Sequence, residues 1–328
     1  MQGSAVARRS FLQRGAEGVL GTALLPAPSV RVQACTSSSS GRRSLDLSVI
    51  SAITDEVGTT EEEAFAFVRQ YGLRWIEMRT VPGAGRLYVE LPPATLRDFK
   101  KRLDGLGLGV SFLNTWMLKW TLPGTSPLRR RQYAEPEWNE LCLKDVQRLR
   151  ERMDYLKRCI EAAHILGVQA IRIFTFWRVA DPSPLYPRIA GIVSEMTGLA
   201  QREGVRLLVE NESACNVATS EELRRFVDLV PSPALGINWD PHNGLPYEPS
   251  PFPQGYRLLP RHRIGNVQIK GESLLSPGDL LDWRAIMRAM MNDGYRGKFG
   301  LETHFGEGRA RVRNARASMT EIVKLLEL

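Results

Sequence analysis

The chain has 328 residues, of which 43% are hydrophobic and 24% are charged. Its 44 Lys and Arg residues exceed its 36 Asp and Glu residues by a formal charge of +8. This length and apolar fraction suit one large domain or two small ones, and they exclude a disordered chain, a collagen-like repeat and a small disulfide scaffold. No segment has the ~20 apolar residues that a membrane-spanning helix needs.

The excess positive charge is concentrated at the start of the chain. Residues 1–43 hold six arginines and one acid, Glu17, so the remaining residues are close to electroneutral. A near-neutral body offers no broad basic surface to a phosphate backbone. We therefore expect no nucleic acid partner.

The first residues resemble an export address. The pair Arg8-Arg9 is followed by Ser10 and Phe11-Leu12, and then by a mildly apolar run over residues 18–27. Twin arginines ahead of a weak hydrophobic region resemble a twin-arginine signal. We predict that residues 1–43 are an export signal with a disordered linker, and that the protein is exported to the periplasm. The alternative is a basic tail on a cytoplasmic protein.

Residues 44–328 alternate short apolar runs with longer amphipathic runs. The apolar runs predicted as strands lie at 45–54, 74–79, 109–114, 170–176, 205–211, 234–240, 264–270 and 298–303. Helical patterns at 60–71, 93–106, 141–166 and 187–203 separate several of them. This alternation predicts a parallel sheet, and eight units predict a single-domain α/β fold, the (β/α)₈ TIM barrel. A doubly wound open sheet competes with it, but Thr54-Asp55-Glu56 stands where that fold has a Gly-rich phosphate loop.

Polar residues stand at the ends of four consecutive predicted strands. In a barrel these ends meet at one face, where the chemistry collects. Strands five, six and eight end in Glu210, Asp240 and Glu302, and strand seven carries Gln268. A carboxylate next to an apolar run needs a partner, and an all-oxygen set suits Mg²⁺ or Mn²⁺. Lys270 would neutralise the charge that a dication leaves.

From about Leu45 onward the sequence resembles the xylose isomerase-like TIM barrels, the sugar phosphate isomerase/epimerase superfamily. The motifs that carry the resemblance are Ile76-Glu77-Met78-Arg79, Ile171-Arg172-Ile173-Phe174, Asp240-Pro241-His242-Asn243, Gln268-Ile269-Lys270-Gly271 and Leu301-Glu302-Thr303-His304. Members of the family bind one divalent metal, so the resemblance implies the ligands Glu210, Asp240, Gln268 and Glu302. The expected ion is Mn²⁺ or Mg²⁺, with Co²⁺ or Zn²⁺ as alternatives. Many epimerases have His in a His-x-Lys-Asp pattern at the third ligand, from which Gln268 and Gly271 depart.

The resemblance implies a metal-dependent isomerase or epimerase that acts on a sugar or related polyhydroxy ketone through an enediolate. Glu210 and Glu302 would serve as the acid and the base. Loss of a β-hydroxyl from the same enediolate would give a dehydratase of a cyclic polyol or a dehydroshikimate-type acid. The candidates for substrate contacts are His242, Lys270, Glu77, Arg79, Arg172, His304 and Trp116. The expected partner is a small sugar or polyol, and the sequence is compatible with a monomer or a homo-oligomer.

Three other functions are weighed against the same residues. A glycoside hydrolase would pair Glu212 with Glu302 and need no metal. An endonuclease IV relative would bind three metals with many histidines, whereas this chain has four. A sugar-binding protein with a decayed site is the third rival, and the four intact oxygen ligands argue against decay.

Overall fold

The computed structural model describes residues 46–275 and 281–326, and the predicted export signal lies outside them. Eight parallel strands follow one another around a closed barrel, in which the last strand pairs with the first. They are β1 (Ile50–Ile53), β2 (Trp75–Met78), β3 (Gly109–Leu113), β4 (Ala170–Ile173), β5 (Arg206–Glu210), β6 (Leu235–Trp239), β7 (Ile264–Ile269) and β8 (Lys298–Leu301). The predicted (β/α)₈ TIM barrel is confirmed.

Helices occupy the connections between the strands. They are α1 (Thr54–Val57), α2 (Glu61–Gln70), α3 (Pro93–Gly105), α4 (Glu135–Arg150), α5 (Arg152–Leu166), α6 (Tyr186–Arg202), α7 (Ser220–Asp228), α8 (Pro241–Gly244), α9 (Tyr256–Leu258), α10 (Trp283–Asn292) and α11 (Gly308–Leu326). Within the described ranges, none of these helices is both long and apolar enough to cross a membrane.

The helix ends follow local rules that the sequence contains. Thr60 caps α2, because its hydroxyl accepts a hydrogen bond from the Glu63 N–H. Gly72, Gly107 and Gly167 follow helices and have φ values of +66°, +67° and +72°. This left-handed conformation favours glycine and turns the chain into the next strand.

Two predicted elements differ most in their boundaries from the structure. The helix predicted over 141–166 is two helices, because α4 already begins at Glu135 and the chain leaves helical geometry at Glu151. The first strand, predicted from residue 45, begins at Ile50. Its first residues form a 3₁₀ turn instead, in which the Asp46 carboxylate accepts the Ser48 N–H.

The barrel interior contains polar side chains, while the apolar core lies between the strands and the helices. Glu77 on β2 accepts hydrogen bonds from Asn266 and Gln268 on β7. Because β1 and β8 separate these two strands, the bonds cross the interior of the barrel. Buried apolar residues such as Ile76 and Phe67 form the surrounding core.

Candidate active site

A central cavity of about 970 Å³ opens where the residues that follow the strands meet. Its lining includes eight of the eleven predicted site residues: Arg79, Trp116, Arg172, Glu210, His242, Lys270, Glu302 and His304. The other three, Glu77, Asp240 and Gln268, are fully buried and lie outside the lining. The structure therefore gathers most of the predicted residues around one space and places three of them behind its walls.

Three carboxylates converge at the floor of the central cavity. Glu210, Asp240 and Glu302 offer oxygen atoms that all lie within 4.8 Å of one another, and each residue is at most 3% exposed. Glu210 ends β5, and the other two directly follow β6 and β8. Asp240 is also fixed as the cap of α8, since it accepts the Asn243 N–H at 2.9 Å.

Two cations contact this cluster of carboxylates directly. The Lys270 ammonium lies 2.6 Å from Asp240 Oδ2 and 3.3 Å from Glu302 Oε2. The Arg172 guanidinium lies 3.0 Å from Glu210 Oε2. Both cations are almost fully buried, so these contacts are screened little by water.

A third cation, Arg79, links the cluster to the end of β1. Its guanidinium contacts Glu302 at 2.8 Å, Asp55 at 2.8 Å and also Glu56. Arg311 reaches Glu56 at 3.6 Å from a partly exposed position. Sequence reasoning gave Asp55 and Glu56 no role, although their position directly after a strand was the available signal.

The buried ion pairs leave an uncompensated negative charge. Five carboxylates and three buried cations are connected, which gives a formal charge of −2, or −1 when the partly exposed Arg311 beside Glu56 is included. Burial raises the pKa of the Asp240 carboxyl to about 7 although Lys270 opposes it. Burial also raises the pKa of Glu210 against its Arg172 partner. For Glu302 burial is outweighed, and its cationic partners hold the pKa of that carboxyl well below its usual range.

Gln268 lies behind the cavity floor with its amide group in a fixed orientation. Its Nε2 donates to Glu77 Oε2 at 2.9 Å. Because the amide nitrogen donates to Glu77, the Gln268 oxygen points away from that acceptor. In the described part of the chain, that buried oxygen accepts no hydrogen bond.

Glu77 is surrounded by donors. Its two oxygens accept from Ser51 Oγ at 2.8 Å, Asn114 Nδ2 at 2.8 Å, Asn266 Nδ2 at 3.2 Å and the Gln268 amide. Burial raises the pKa of this carboxyl, and the four donors oppose that shift. The structure thus places Glu77 against a predicted metal ligand and away from the central cavity.

The same network reaches a second predicted ligand. Asn266 Nδ2 also donates to Asn238 Oδ1 at 3.0 Å, and Asn238 Nδ2 donates to Glu210 Oε2. Gly300 on β8 makes room for these groups, because a Cβ there would collide with the Glu77 carboxylate. Sequence reasoning missed the two asparagines, whose signal was an amide within an apolar strand.

The donors at the floor fit a divalent cation of the oxygen-binding type. The three converging carboxylates supply hard anionic oxygens, and the Gln268 oxygen is a buried acceptor without a partner among the described residues. Glu56, Glu302 and His304 also bring donor atoms within 4.8 Å of one another. In that second group both acids already contact Arg79.

The rim of the central cavity carries the two predicted histidines and Trp116. Trp116 is 54% exposed, and the His304 side chain is 66% exposed. His304 has a φ of +57°, a left-handed conformation that is uncommon outside glycine. His242 lies deeper in the wall, where burial lowers the pKa of its imidazole.

A lysine that sequence reasoning missed also lines the rim. Lys119 Nζ lies 2.6 Å from Glu212 Oε2 and 4.5 Å from the centre of the Phe174 ring. Burial opposes ionisation of Glu212, but Lys119 outweighs it and lowers the pKa of that carboxyl to about 2. The signal available in the sequence was a lysine beside Trp120 in a loop that follows a strand.

Solved structures with this fold exist, although their sequences are distant. A search of characterised protein sequences finds no significant match. L-ribulose 3-epimerase has a similar structure, with 18% identity and a TM-score of 0.59, over 85% of this chain and 94% of that one.

Two further solved structures with this fold contain metal ions. A xylose isomerase-like TIM barrel protein from Mycobacterium smegmatis in complex with magnesium is 16% identical, with a TM-score of 0.58, over 84% of this chain and 97% of that one. The IOLI protein with a bound zinc atom is 15% identical, with a TM-score of 0.62, over 85% and 98%. The family model described as the xylose isomerase-like TIM barrel matches residues 65–324. With a match over most of its length, the chain belongs to the xylose isomerase-like TIM barrel family.

Proposed function

We propose that the protein is a metal-dependent isomerase or epimerase of a sugar or related polyhydroxy ketone. The observation that carries the proposal is the convergence of Glu210, Asp240 and Glu302 within 4.8 Å of one another, with Glu210 and Glu302 lining the central cavity. A solved relative by fold is a sugar epimerase, which agrees with a small polyhydroxylated substrate.

The residues that would hold the ion are Glu210, Asp240 and Glu302, with Gln268 as the fourth ligand. When bound, a divalent ion would act as a Lewis acid that polarises the substrate carbonyl. The all-oxygen donors favour Mn²⁺ or Mg²⁺, and magnesium and zinc are the ions in the two metal-containing relatives. The net negative formal charge of the cluster agrees with a bound cation.

The side chains of Glu210 and Glu302 would move the proton. Glu210 ends β5 and Glu302 directly follows β8, so they stand on different sides of the floor, and both line the central cavity. One would remove the proton from the carbon next to the carbonyl, which leaves an enediolate, and the other would return a proton. Return to the opposite face of the same carbon gives an epimer, and return to the adjacent carbon gives an isomer.

The cations would hold these two acids in position. Arg172 fixes Glu210, while Arg79 and Lys270 fix Glu302 from two directions. Substrate hydroxyls would then contact His242, His304 and the indole of Trp116 along the rim. Such contacts select the substrate, whereas the floor residues carry out the proton transfer.

A dehydratase on the same site is the second candidate. Gln268 stands where many epimerases of the family have His, and this substitution is the observation that favours a different outcome for the enediolate. A dehydratase would lose the β-hydroxyl of a cyclic polyol or a dehydroshikimate-type acid instead of returning the proton. Proton removal by one of Glu210 and Glu302 would be common to both reactions, and in the dehydratase the other acid would protonate the departing hydroxyl instead of the carbon.

Substrate turnover in D₂O tests the proposal. The purified protein with added Mn²⁺ is incubated with a panel of ketoses, aldoses and cyclic keto-polyols, and NMR follows deuterium next to the carbonyl. We expect deuterium incorporation in at least one compound, with ~10²–10⁴-fold slower incorporation in the Glu210→Gln and Glu302→Gln variants. Glu248→Gln is the matched control, because Glu248 lies outside the cavity and accepts hydrogen bonds from Ser220.

The rival functions predict other results. A glycoside hydrolase that uses Glu212 would cleave glycosides after exhaustive chelation and would incorporate no deuterium. A sugar-binding protein would bind sugars equally well in the wild type and in both glutamine variants. Either result would overturn the proposed function.

The twin-arginine resemblance supports a separate proposal on location. We propose that the protein is exported through Arg8 and Arg9. Fractionation of cells that express the full chain would then find it in the periplasm, and replacement of both arginines by lysine would keep it in the cytoplasm. Periplasmic protein in the double variant would contradict the proposal.

A further inference from the structure

A second cavity of about 270 Å³ lies beside the central one. We call it the side cavity; its lining is Leu87, Glu90, Trp116, Lys119, Trp120, Arg148, Glu151, Tyr155 and Arg158. Trp116 and Lys119 line both cavities, so these two side chains form the boundary between them. A ligand that extends past this boundary would contact both spaces.

The side cavity is built from segments that surround the same end of the barrel as the active site. Glu90 lies in the segment after β2, Trp116 and Trp120 follow β3, and Tyr155 and Arg158 lie in the first half of α5. The connections that follow strands lead away from their carboxyl ends, where the central cavity opens. Both cavities therefore face the same side of the molecule.

A buried acid fixes the wall of the side cavity. Asp145 on α4 accepts the Thr121 N–H at 2.9 Å and the Arg148 guanidinium at 2.8 Å. It is 3% exposed, and it joins the loop that carries Trp120 to the helix that carries Arg148. The side cavity is thus held open by a hydrogen-bonded scaffold.

The lining of the side cavity combines aromatic faces with polar groups of both charges. Trp116 is 54% exposed, and the Arg158 guanidinium lies 5.4 Å from the centre of the Tyr155 ring. The lining has three cations, Lys119, Arg148 and Arg158, and two acids, Glu90 and Glu151. Lys119 is paired with Glu212 and Arg148 with Asp145, so no single sign of charge dominates. Aromatic faces beside mixed donors and acceptors suit a neutral polyhydroxylated ring better than a phosphate or an apolar group.

The volume of the central cavity also exceeds what one small ring requires. At about 970 Å³ it lies at the upper end of the ~300–1,000 Å³ that sites for drug-sized ligands span. The carboxylates occupy only its floor, and the boundary with the side cavity lies at its rim. A small ring over the floor would therefore leave part of the central cavity unfilled.

We propose that the side cavity is a subsite for the second ring of a glycoside, whose first ring lies over Glu210 and Glu302. The inference rests on the proposed function, because the reacting ring is assigned to the floor by the chemistry of those acids. The substrate class is then a glycoside whose first ring carries the carbonyl that the proposed reaction needs and whose second ring is polar, instead of a free monosaccharide.

Calorimetric binding without turnover tests the subsite. The chelated protein is titrated with disaccharides that carry glucose, galactose, mannose or xylose as the first ring, and with the methyl glycoside of each. We expect at least one disaccharide to bind ≥10-fold more tightly than its methyl glycoside. Arg158→Ala is expected to remove most of that advantage, while Arg150→Ala, an exposed arginine outside the side cavity, is expected to keep it.

The possible results separate the two proposals. Equal affinity for every disaccharide and its methyl glycoside would overturn the subsite, and so would an advantage that survives in both Arg158→Ala and Trp116→Ala. Preserved thermal unfolding of each variant shows that a loss of binding is local. Tighter binding of a disaccharide without deuterium exchange would overturn the proposed function and leave the subsite supported. Deuterium exchange without tighter binding of any disaccharide would overturn the subsite and leave the proposed function supported.

Discussion

At the floor of the central cavity the functional groups stand on strands or directly after them and are bonded to one another, whereas at the rim they stand on loops and face solvent. Glu210 is held by Arg172 and Asn238, and every contact is buried. Trp116 at the rim is 54% exposed. The comparison teaches that the floor is a rigid constellation suited to one chemistry, while the rim is free to select the substrate.

The first prediction concerns a floor residue that cannot touch the substrate. If such a residue were dispensable for catalysis, the distinction between floor and rim would fail. Asp240 is fully buried and outside the cavity lining, so Asp240→Asn should act without touching the substrate, through the bound ion and the Lys270 ion pair. We expect kcat to fall by at least ~100-fold, since even residues that only support metal ligands contribute ~10–100-fold. Steady-state kinetics at the Mn²⁺ concentration that saturates the wild type checks this. Unchanged kcat would show that the cluster binds no catalytic ion.

The second prediction concerns the space beneath the floor. Gly300→Ala puts a methyl group against the Glu77 carboxylate and should cost about 1–3 kcal/mol of unfolding free energy, as overpacking does. Urea denaturation measures this change. Gly191→Ala is the control, because Gly191 lies within α6 with open space around its Cβ position and should gain about 0.5–1 kcal/mol. Similar effects of the two substitutions would contradict a tightly packed floor.

A third prediction tests whether the floor network orients the ligands. In Glu77→Gln an amide nitrogen would face side chains that themselves donate hydrogen bonds, and the Gln268 amide would lose its fixed orientation. We expect the Kd for Mn²⁺ to rise by ~10–100-fold in a titration of the metal-free protein.

Glu248→Gln serves as the matched control for this titration, since its carboxylate accepts hydrogen bonds away from the site. Wild-type affinity in Glu77→Gln would show that the network beneath the floor has no influence on the ion. Equal losses in the two variants would point to a general effect of removing a buried charge.

The smallest effect is expected at the rim. Trp116→Ala should raise KM for the substrate by about 3–10-fold and leave kcat within twofold, because an exposed indole contributes binding and no proton transfer. The free energy of unfolding should change by less than about 0.5 kcal/mol. Leu143→Ala, at a position 73% exposed, is the control and should leave both kinetic parameters unchanged. A loss of kcat in Trp116→Ala would show that Trp116 takes part in catalysis as the floor residues do, and would contradict its assignment to the rim.

The strand order could be predicted from the sequence because each strand is a short apolar run between helical patterns. Glu210, Asp240 and Glu302 were readable because acids directly follow such runs, and the barrel brings strand ends together. The helix break at Glu151 was not readable, since the sequence around it keeps a helical pattern.

The role of Glu77 could not be predicted from its neighbours in the chain. Its donors come from Ser51, Asn114, Asn266 and Gln268, which lie 26 to 191 residues away in sequence. Contacts across the barrel interior depend on strand register, which a single sequence does not determine. The Lys119–Glu212 pair was hidden for the same reason, because it joins two loops 93 residues apart.

Metal content is the most direct test of the central claim that Glu210, Asp240 and Glu302 form a divalent cation site. Calorimetric titration of the metal-free protein with Mn²⁺ should give one ion per chain, and Asp240→Asn should abolish the binding. At a free ion concentration of 100 times Kd, the wild type should gain about 2.7 kcal/mol in unfolding free energy, and the variant should gain none. A wild-type protein that binds no divalent ion, and keeps its full activity after chelation, would contradict the claim.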